Sequence, residues 1–379
     1  MDATYILAIN PGSTSTKIAV FHHNKFVFLK TIRHEIDELH SFNQTVDQLE
    51  FRMNLVLAEV KENHIPFHQI GMIIARGGLI HPIESGVYEV NDAMIADLEK
   101  GLTGDHASNL GGLIAHRLLA QFPQAKAYIA DPVVVDELQD VARISGHPAF
   151  QRISIFHALN QKSTARTYAH SRGMEYNDLN LIIAHLGSGV SIGAHKKGRV
   201  IDVNNGLDGE GPFGPERSGT LPTGALVRYC FNGSVSESEI EKMLVGQGGL
   251  FAYMGNNDAH HLEKLAREGD SKARLIQDAM AYQICKDIGA MAAVLGGEVH
   301  AIIITGGIAH NPDLTSYIKE HVGFIAPVFI YPGEDEMRAL ALNGSMLLSG
   351  KITAREYSQE NLVRGLNLDD LNTLDPIRE

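Results

Sequence analysis

Cysteine is scarce: two in 379 residues, Cys230 and Cys285. They form no Cys-x-x-Cys pair, and no histidine joins them at zinc-ligand spacing. Neither a disulfide framework nor a structural zinc site is therefore expected, and both read as buried free thiols of a reducing compartment. Membrane-length apolar runs are also missing. The longest, near 288–295, is flanked by glycine and charge. Asp2 and the early Asn10-Pro11 leave no room for a signal-peptide core. Basic excess is absent too: 32 Lys and Arg face 45 Asp and Glu, a net charge of −13, with no Lys/Arg block. Nucleic acid and anionic membranes are thus not expected as partners, and an anionic substrate would need a few local arginines. These absences together predict a soluble, cytoplasmic protein.

With 44% hydrophobic and 20% charged residues the chain is globular, and it is too long for one core. Its organising stretch is 5–21. An apolar strand runs over 5–9, Asn10-Pro11-Gly12-Ser13 reads as a type II turn, and hydroxyls follow up to Lys17 before a second strand at 18–21. The turn gathers backbone N–H groups, the hydroxyls of Ser13 and Ser15 and the Lys17 ammonium, which suits a phosphate chain. It lacks the second glycine and the following helix of a Walker A loop. The plain alternative is an ordinary polar hairpin. Residues 181–205 repeat the order of strand, Gly/Ser turn (Gly187-Ser188-Gly189), strand, basic tip and strand. The repeat predicts two duplicated domains whose glycine-rich hairpins close on one nucleotide.

Between and after these hairpins, alternating strands and helices predict α/β layers. Apolar spacing at 46, 49, 53, 56 and 60 predicts a helix, and strand 70–75 leads into Arg76-Gly77-Gly78. A helix opens after His106, and strand 127–130 ends at Asp131. The Gly/Pro-rich 206–223 reads as a functional loop, and 274–295 as a buried helix apolar almost all round. A helix over 337–349 is expected to return to the first domain. The acidic 366–379 is expected to pack poorly.

Arg76 and Arg217 are candidates to neutralise a phosphoryl group in transfer; a surface ion pair is the alternative for each. His157 and His185 follow apolar strands and are either oxygen donors or satisfied core histidines. Asp131 is a metal ligand or a turn residue. Glu334, Asp335 and Glu336 are an Mg²⁺ corner or helix-capping acids. Gly306-Gly307-Ile308 permits close approach of a ring or phosphate, without the spacing of a dinucleotide fingerprint.

Three motifs, 9–17, 185–189 (His-Leu-Gly-Ser-Gly) and 305–308 (Thr-Gly-Gly-Ile), resemble the two phosphate motifs and the adenosine motif of the actin-like ATPase superfamily. Within it, 76–78, Phe156-His157-Ala158, 217–219 and 332–337 resemble the acetate and butyrate kinases, with the departures leaning to the butyrate branch. The match spans roughly 4–350. It implies a duplicated actin-like (ribonuclease H-like) ATPase fold, with two domains around a nucleotide cleft: 1–151, completed by 337–365, and 152–336. It also implies phosphate transfer from ATP to a short-chain carboxylate, giving an acyl phosphate, with Mg²⁺ near Asn10 and Glu336. Arg76 and Arg217 would hold carboxylate and phosphoryl group, Asp131 would orient the carboxylate or its metal, and His157 and His185 would meet phosphoryl oxygens. Gly12, Ser13, Ser15, Lys17 and Gly187 to Gly189 would hold phosphates, and Gly306, Gly307 and Ile308 the adenosine. Gly77, Gly78, His106 and Phe156 would line the substrate pocket, the small glycines leaving room for a longer acyl chain. A homodimer or larger assembly is the family's habit. Another small-molecule kinase and a conformational ATPase remain as alternatives.

Overall fold

The protein is seen as a computed structural model that describes residues 5–366 except 23, 24 and 103. Two sheets organise it. The first holds β1 (Tyr5–Pro11), β2 (Ser15–His22), β3 (Lys25–Arg33), β4 (Ile70–Arg76), β5 (Val87–Glu89) and β6 (Lys126–Ala130), in the order β3-β2-β1-β4-β6-β5. The second holds β7 (Asn180–Leu186), β8 (Val190–Lys196), β9 (Arg199–Val203), β10 (Ala301–Gly306) and β11 (Val328–Pro332), in the order β11-β10-β7-β8-β9. In each, the first three strands are an antiparallel meander and the next two pair in parallel beyond the first strand. The two sheets thus share one topology, apart from the short β5, which sequence reasoning missed and which pairs antiparallel with β6. This is the duplicated fold the repeat implied.

Strand periodicity decides what covers each face. Leu7 and Ile9 of β1 pack with helices Leu49–Glu62 and Asn109–Leu118, whereas Ile6 and Ala8 meet Met337 and Leu340 of helix Glu336–Leu348. The last helix therefore does return to the first sheet. In the second sheet Ile182 and Ala184 face helices Ser271–Val294 and Pro312–Val322, while Leu181 and Ile183 face Ala165 and Tyr168 of helix Ala158–Ser171. With both faces covered, β1 and β7 read as nearly unbroken apolar runs. Lys162, fully buried on helix Ala158–Ser171, ties the two halves: its ammonium donates to Glu137 Oε2 (2.6 Å), Ser85 Oγ (3.0 Å) and the Gly198 carbonyl (2.9 Å).

Local expectations change in three places. Pairing in the first hairpin runs to Pro11 and Thr16, and Gly12 keeps a negative φ. The turn is thus Gly12 to Ser15, closed by Gly12 N–H on the Ser15 carbonyl (2.7 Å), and not the type II turn at Pro11-Gly12. The second basic tip does use positive φ, at Lys197 and Gly198, as a two-residue hairpin requires; residues 23 and 24 of the first tip lie outside the described residues. Helix Ser271–Val294 is buried on one side only, for Leu275 and Tyr282 are exposed. The cysteines are half-buried rather than buried, and burial pushes the Cys285 thiol up to about 11. Asp2 and 367–379 also lie outside the described residues. Among the described residues no helix is long and apolar enough to cross a membrane.

Candidate active site

The ends of parallel strands converge. β1 ends beside Asn10, β4 at Arg76, β7 beside His185, and β10 and β11 run into Gly306 and Glu334. Arg76 is set by a close helix–strand approach: a Cβ on Gly111 of helix Asn109–Leu118 would come 2.3 Å from the Arg76 carbonyl.

Glu336, at the start of its helix, ties together the ends of β1 and β4. Asn10 Nδ2 donates to its Oε2, and Arg76 Nη1 lies 3.0 Å from its Oε1. Asn10 Oδ1 is buried with no hydrogen-bond partner. The acidic triplet is thereby sorted. Asp335 caps the helix, accepting from Arg338 N–H, whereas Glu334 Oε1 lies 3.1 Å from His185 Nε2. The close approach of His185 first, then the charges of Arg76 and Lys17, hold the Glu334 carboxyl below the usual range.

His185 stacks on His157 at 3.8 Å between ring centroids and pairs through Nδ1 with Asn160 Oδ1 (2.8 Å). Burial first, then His185, Arg76 and Arg217, pushes His157 well below the usual histidine value. His106, still reached by solvent, is lowered by its enclosure and by the same two arginines. Arg217 comes from the Gly/Pro loop; its Nε and Nη1 are buried without partners. The structure thus brings Asn10, Lys17, Arg76, His106, His157, His185, Arg217 and Glu336 to one place.

The phosphate-type loops flank them. Ser13 and Ser188 are exposed, and Ser15 and Lys17 half-buried. Gly187 and Gly189 have no room for a side chain: a Cβ would come 2.8 Å from His185 Nε2 and 2.4 Å from the Gly206 carbonyl. Gly306 has φ +93° and sits against the Leu186 backbone, while Gly307 faces open space where a flat ring can pass.

Sequence reasoning missed Arg52. It is fully buried, and its guanidinium donates to the carbonyls of Gly12 (2.7 Å), Ser13 (3.1 Å) and Ser15 (3.1 Å) and to Gln48 Oε1. The available signal was a charged residue inside the apolar stripe of Leu49, Val56 and Val60, where burial without a partner is costly.

Other expectations are corrected. Asp131 is not drawn into the cluster: Gly86 N–H (2.9 Å) and Arg166 Nη1 (3.2 Å) occupy its two oxygens, so it braces the strand end. Phe156 packs in an apolar cluster with Val135, Leu138 and Val203, and Ile308 is core under the second sheet. Gly77 and Gly78 open no cavity, because a Cβ would strike Pro132 at 2.5 Å and Asn109 at 2.6 Å. Gly78→Val is accordingly expected to cost several kcal/mol, on the order of 3 or more, through overpacking. Soluble expression and thermal melting check this; a stable variant with altered acyl-chain preference would restore the pocket role.

Among the described residues no three His, Cys, Asp or Glu side chains gather as a metal cage. A magnesium ion held mainly by phosphate and water needs fewer protein oxygens, and the unpartnered Asn10 Oδ1 beside Glu336 fits that requirement.

Comparison with known proteins adds a relationship to this geometry. Residues 152–324 match the model of the acetokinase family. The chain is 52% identical to butyrate kinase 2 of Clostridium acetobutylicum over 352 residues, covering 93% of this chain and 99% of the relative. Its fold is similar to that of acetate kinase from Porphyromonas gingivalis, with TM-score 0.75, 19% identity, and 91% and 100% of the two chains covered. A propionate kinase from Francisella tularensis gives TM-score 0.70, 19% identity, and coverage of 89% and 98%. The 52% identity with the Clostridium acetobutylicum enzyme over nearly the whole length means that the chain belongs to the acetokinase family.

Proposed function

We propose that the protein is a short-chain carboxylate kinase that converts ATP and butanoate to ADP and butanoyl phosphate, and the reverse. The observation that carries this reading is the pair of arginines from the two halves of the chain. Arg76 is anchored on Glu336, and half-buried Arg217 carries two buried, unpartnered donor nitrogens. A guanidinium left unsatisfied in a buried cleft is a site for an oxyanion.

The carboxylate is already a nucleophile, so no strong base is needed. Arg76 orients it. Arg217 accepts the charge spread over the transferring phosphoryl oxygens, and His157 donates to one of them. Lys17 and the backbone N–H groups of the loops at Gly12 and Gly187 to Gly189 hold the remaining phosphates, and the open face at Gly307 receives the adenine ring. Asn10 and Glu336 would hold Mg²⁺, which shields phosphate charge when bound. Closing of the domain 1–151 (with 337–365) on 152–336 would exclude water. A cytosolic homodimer or larger assembly belongs to the same proposal.

A hydroxamate assay with MgATP and acetate, propionate, butyrate, isobutyrate and valerate tests the reading. Acyl hydroxamate is expected from several acids, with the maximum at butyrate. A maximum at isobutyrate or propionate would move the substrate to those acids. No product from any acid, with ATP hydrolysis intact, would replace the kinase by a conformational ATPase.

A further inference from the structure

A line of buried polar groups runs from the interior of the second sheet to the ring of His157. Ser191, Gly193 and His195 share one face of β8, and Gln161 of helix Ala158–Ser171 lies across them. The missing side chain of Gly193 makes the slot: a Cβ there would come 2.7 Å from Gln161 Oε1. Gln161, Ser191 and His195 are fully buried. Gln161 Nε2 is 3.0 Å from the Ser191 carbonyl and 2.9 Å from Ser191 Oγ; its Oε1 is 2.9 Å from His195 Nε2. Tyr176 Oη lies 2.7 Å from His195 Nδ1, and Ser191 Oγ lies 2.9 Å from His157 Nδ1.

Each hydrogen in this line has one place. A carbonyl only accepts, so the Gln161 group facing the Ser191 carbonyl is its NH₂. Oε1 therefore faces His195, whose Nε2 carries the hydrogen, and His195 Nδ1 accepts from the Tyr176 hydroxyl. Burial keeps this end in that form, pushing His195 well below and Tyr176 well above their usual values. At the other end Ser191 Oγ accepts from Gln161 Nε2–H, and from the His157 backbone N–H at 3.5 Å. With both lone pairs taken, the hydroxyl hydrogen is left for His157 Nδ1. The His157 hydrogen then sits on Nε2, which has no hydrogen bond within the protein among the described residues.

We propose that Gln161 and Ser191 are positioning residues that fix His157 as its Nε2–H tautomer, so that it donates to an oxygen of the transferring phosphoryl group. The inference rests on the role given to His157 above. The opposite tautomer would set a lone pair against an anion. A neutral donor also leaves charge neutralisation to the arginines, so His157 contributes direction rather than charge.

Ring ¹⁵N spectra of histidine-labelled protein, read with steady-state kinetics, test this. Wild-type His157 is expected as the neutral Nε2–H form at pH 7. Ser191→Ala and Gln161→Met should give mixed tautomers and lower kcat about 10- to 100-fold, with KM for ATP and carboxylate within about 3-fold. Ser191→Thr, which keeps the hydroxyl, should recover most of kcat. An Nδ1–H or doubly protonated His157 in the wild type overturns the proposal, as does unchanged kcat in folded Ser191→Ala. That variant loses a single oxygen and carries the test should Gln161→Met not fold. A wild-type enzyme that phosphorylates no carboxylate would end the functional reading, while the ring spectra would still decide the tautomer.

Discussion

Arg217→Ala is expected to lower kcat about 10²- to 10³-fold while the melting temperature stays equal or rises. The two effects part because two nitrogens of this half-buried arginine are enclosed without satisfaction. Its Nε and Nη1 have no partner, and burial lowers its pKa from the usual value. Removing such a cation relieves a cost in the free protein and removes the donor that meets charge in transfer. The loop around it is already rigid. Gly214 N–H donates to the Arg217 carbonyl (3.0 Å), Ser218 N–H to that of Leu244 (3.0 Å), and Gly249 packs onto the Gly214 carbonyl with no room for a side chain. The backbone that carries the guanidinium is therefore fixed before substrate arrives, and Arg217→Lys, with a point charge in place of a fork, should recover little. Kinetics and melting on the same preparations check this. A kcat within about 3-fold of wild type would remove Arg217 from the mechanism.

Arg52→Met should behave in the opposite way, lowering stability by roughly 3 kcal/mol and weakening ATP binding about 10-fold or more while leaving adenosine binding unchanged. The carbonyls of Gly12 and Ser13 both turn to this guanidinium, as does that of Ser15. The Gly12 N–H is spent on the Ser15 carbonyl, but carbonyls drawn to one side let the N–H groups of Ser13 and Thr14 face the other, which is how a turn becomes an anion site. Burial lowers the Arg52 pKa to about 10, so the group stays charged at neutral pH, and among the described residues no carboxylate pairs with it. Its charge then acts through the loop on the phosphates. Calorimetric titration of folded protein with ATP, AMP and adenosine separates the effects. Equal loss for all three ligands would mean general damage, and no loss for ATP would leave Arg52 with a packing role alone.

Much of the architecture was legible in the sequence because the signals are local. The unbroken apolar runs of β1 and β7, the glycine turns that follow them, and the repeat of strand and hairpin order all lie within stretches of some 25 residues. The same proximity made Arg76 readable at a strand end and Arg217 in a loop too rich in glycine and proline to be an element. Tertiary structure decided the rest. Asn10 and Glu336 meet across 326 positions, and only that contact distinguishes Glu336 from the capping Asp335 and from Glu334 on His185. Gly77 and Gly78 read as open space until Pro132 and Asn109 filled it, and Asp131 read as a free carboxylate until Gly86 and Arg166 took its oxygens. Arg52 and Gln161 sat inside helical patterns that gave no hint of the carbonyls they would meet. Periodicity along a chain records which face of an element is buried; what that face is buried against depends on partners brought from elsewhere in the chain, and polar side chains take their roles from those partners.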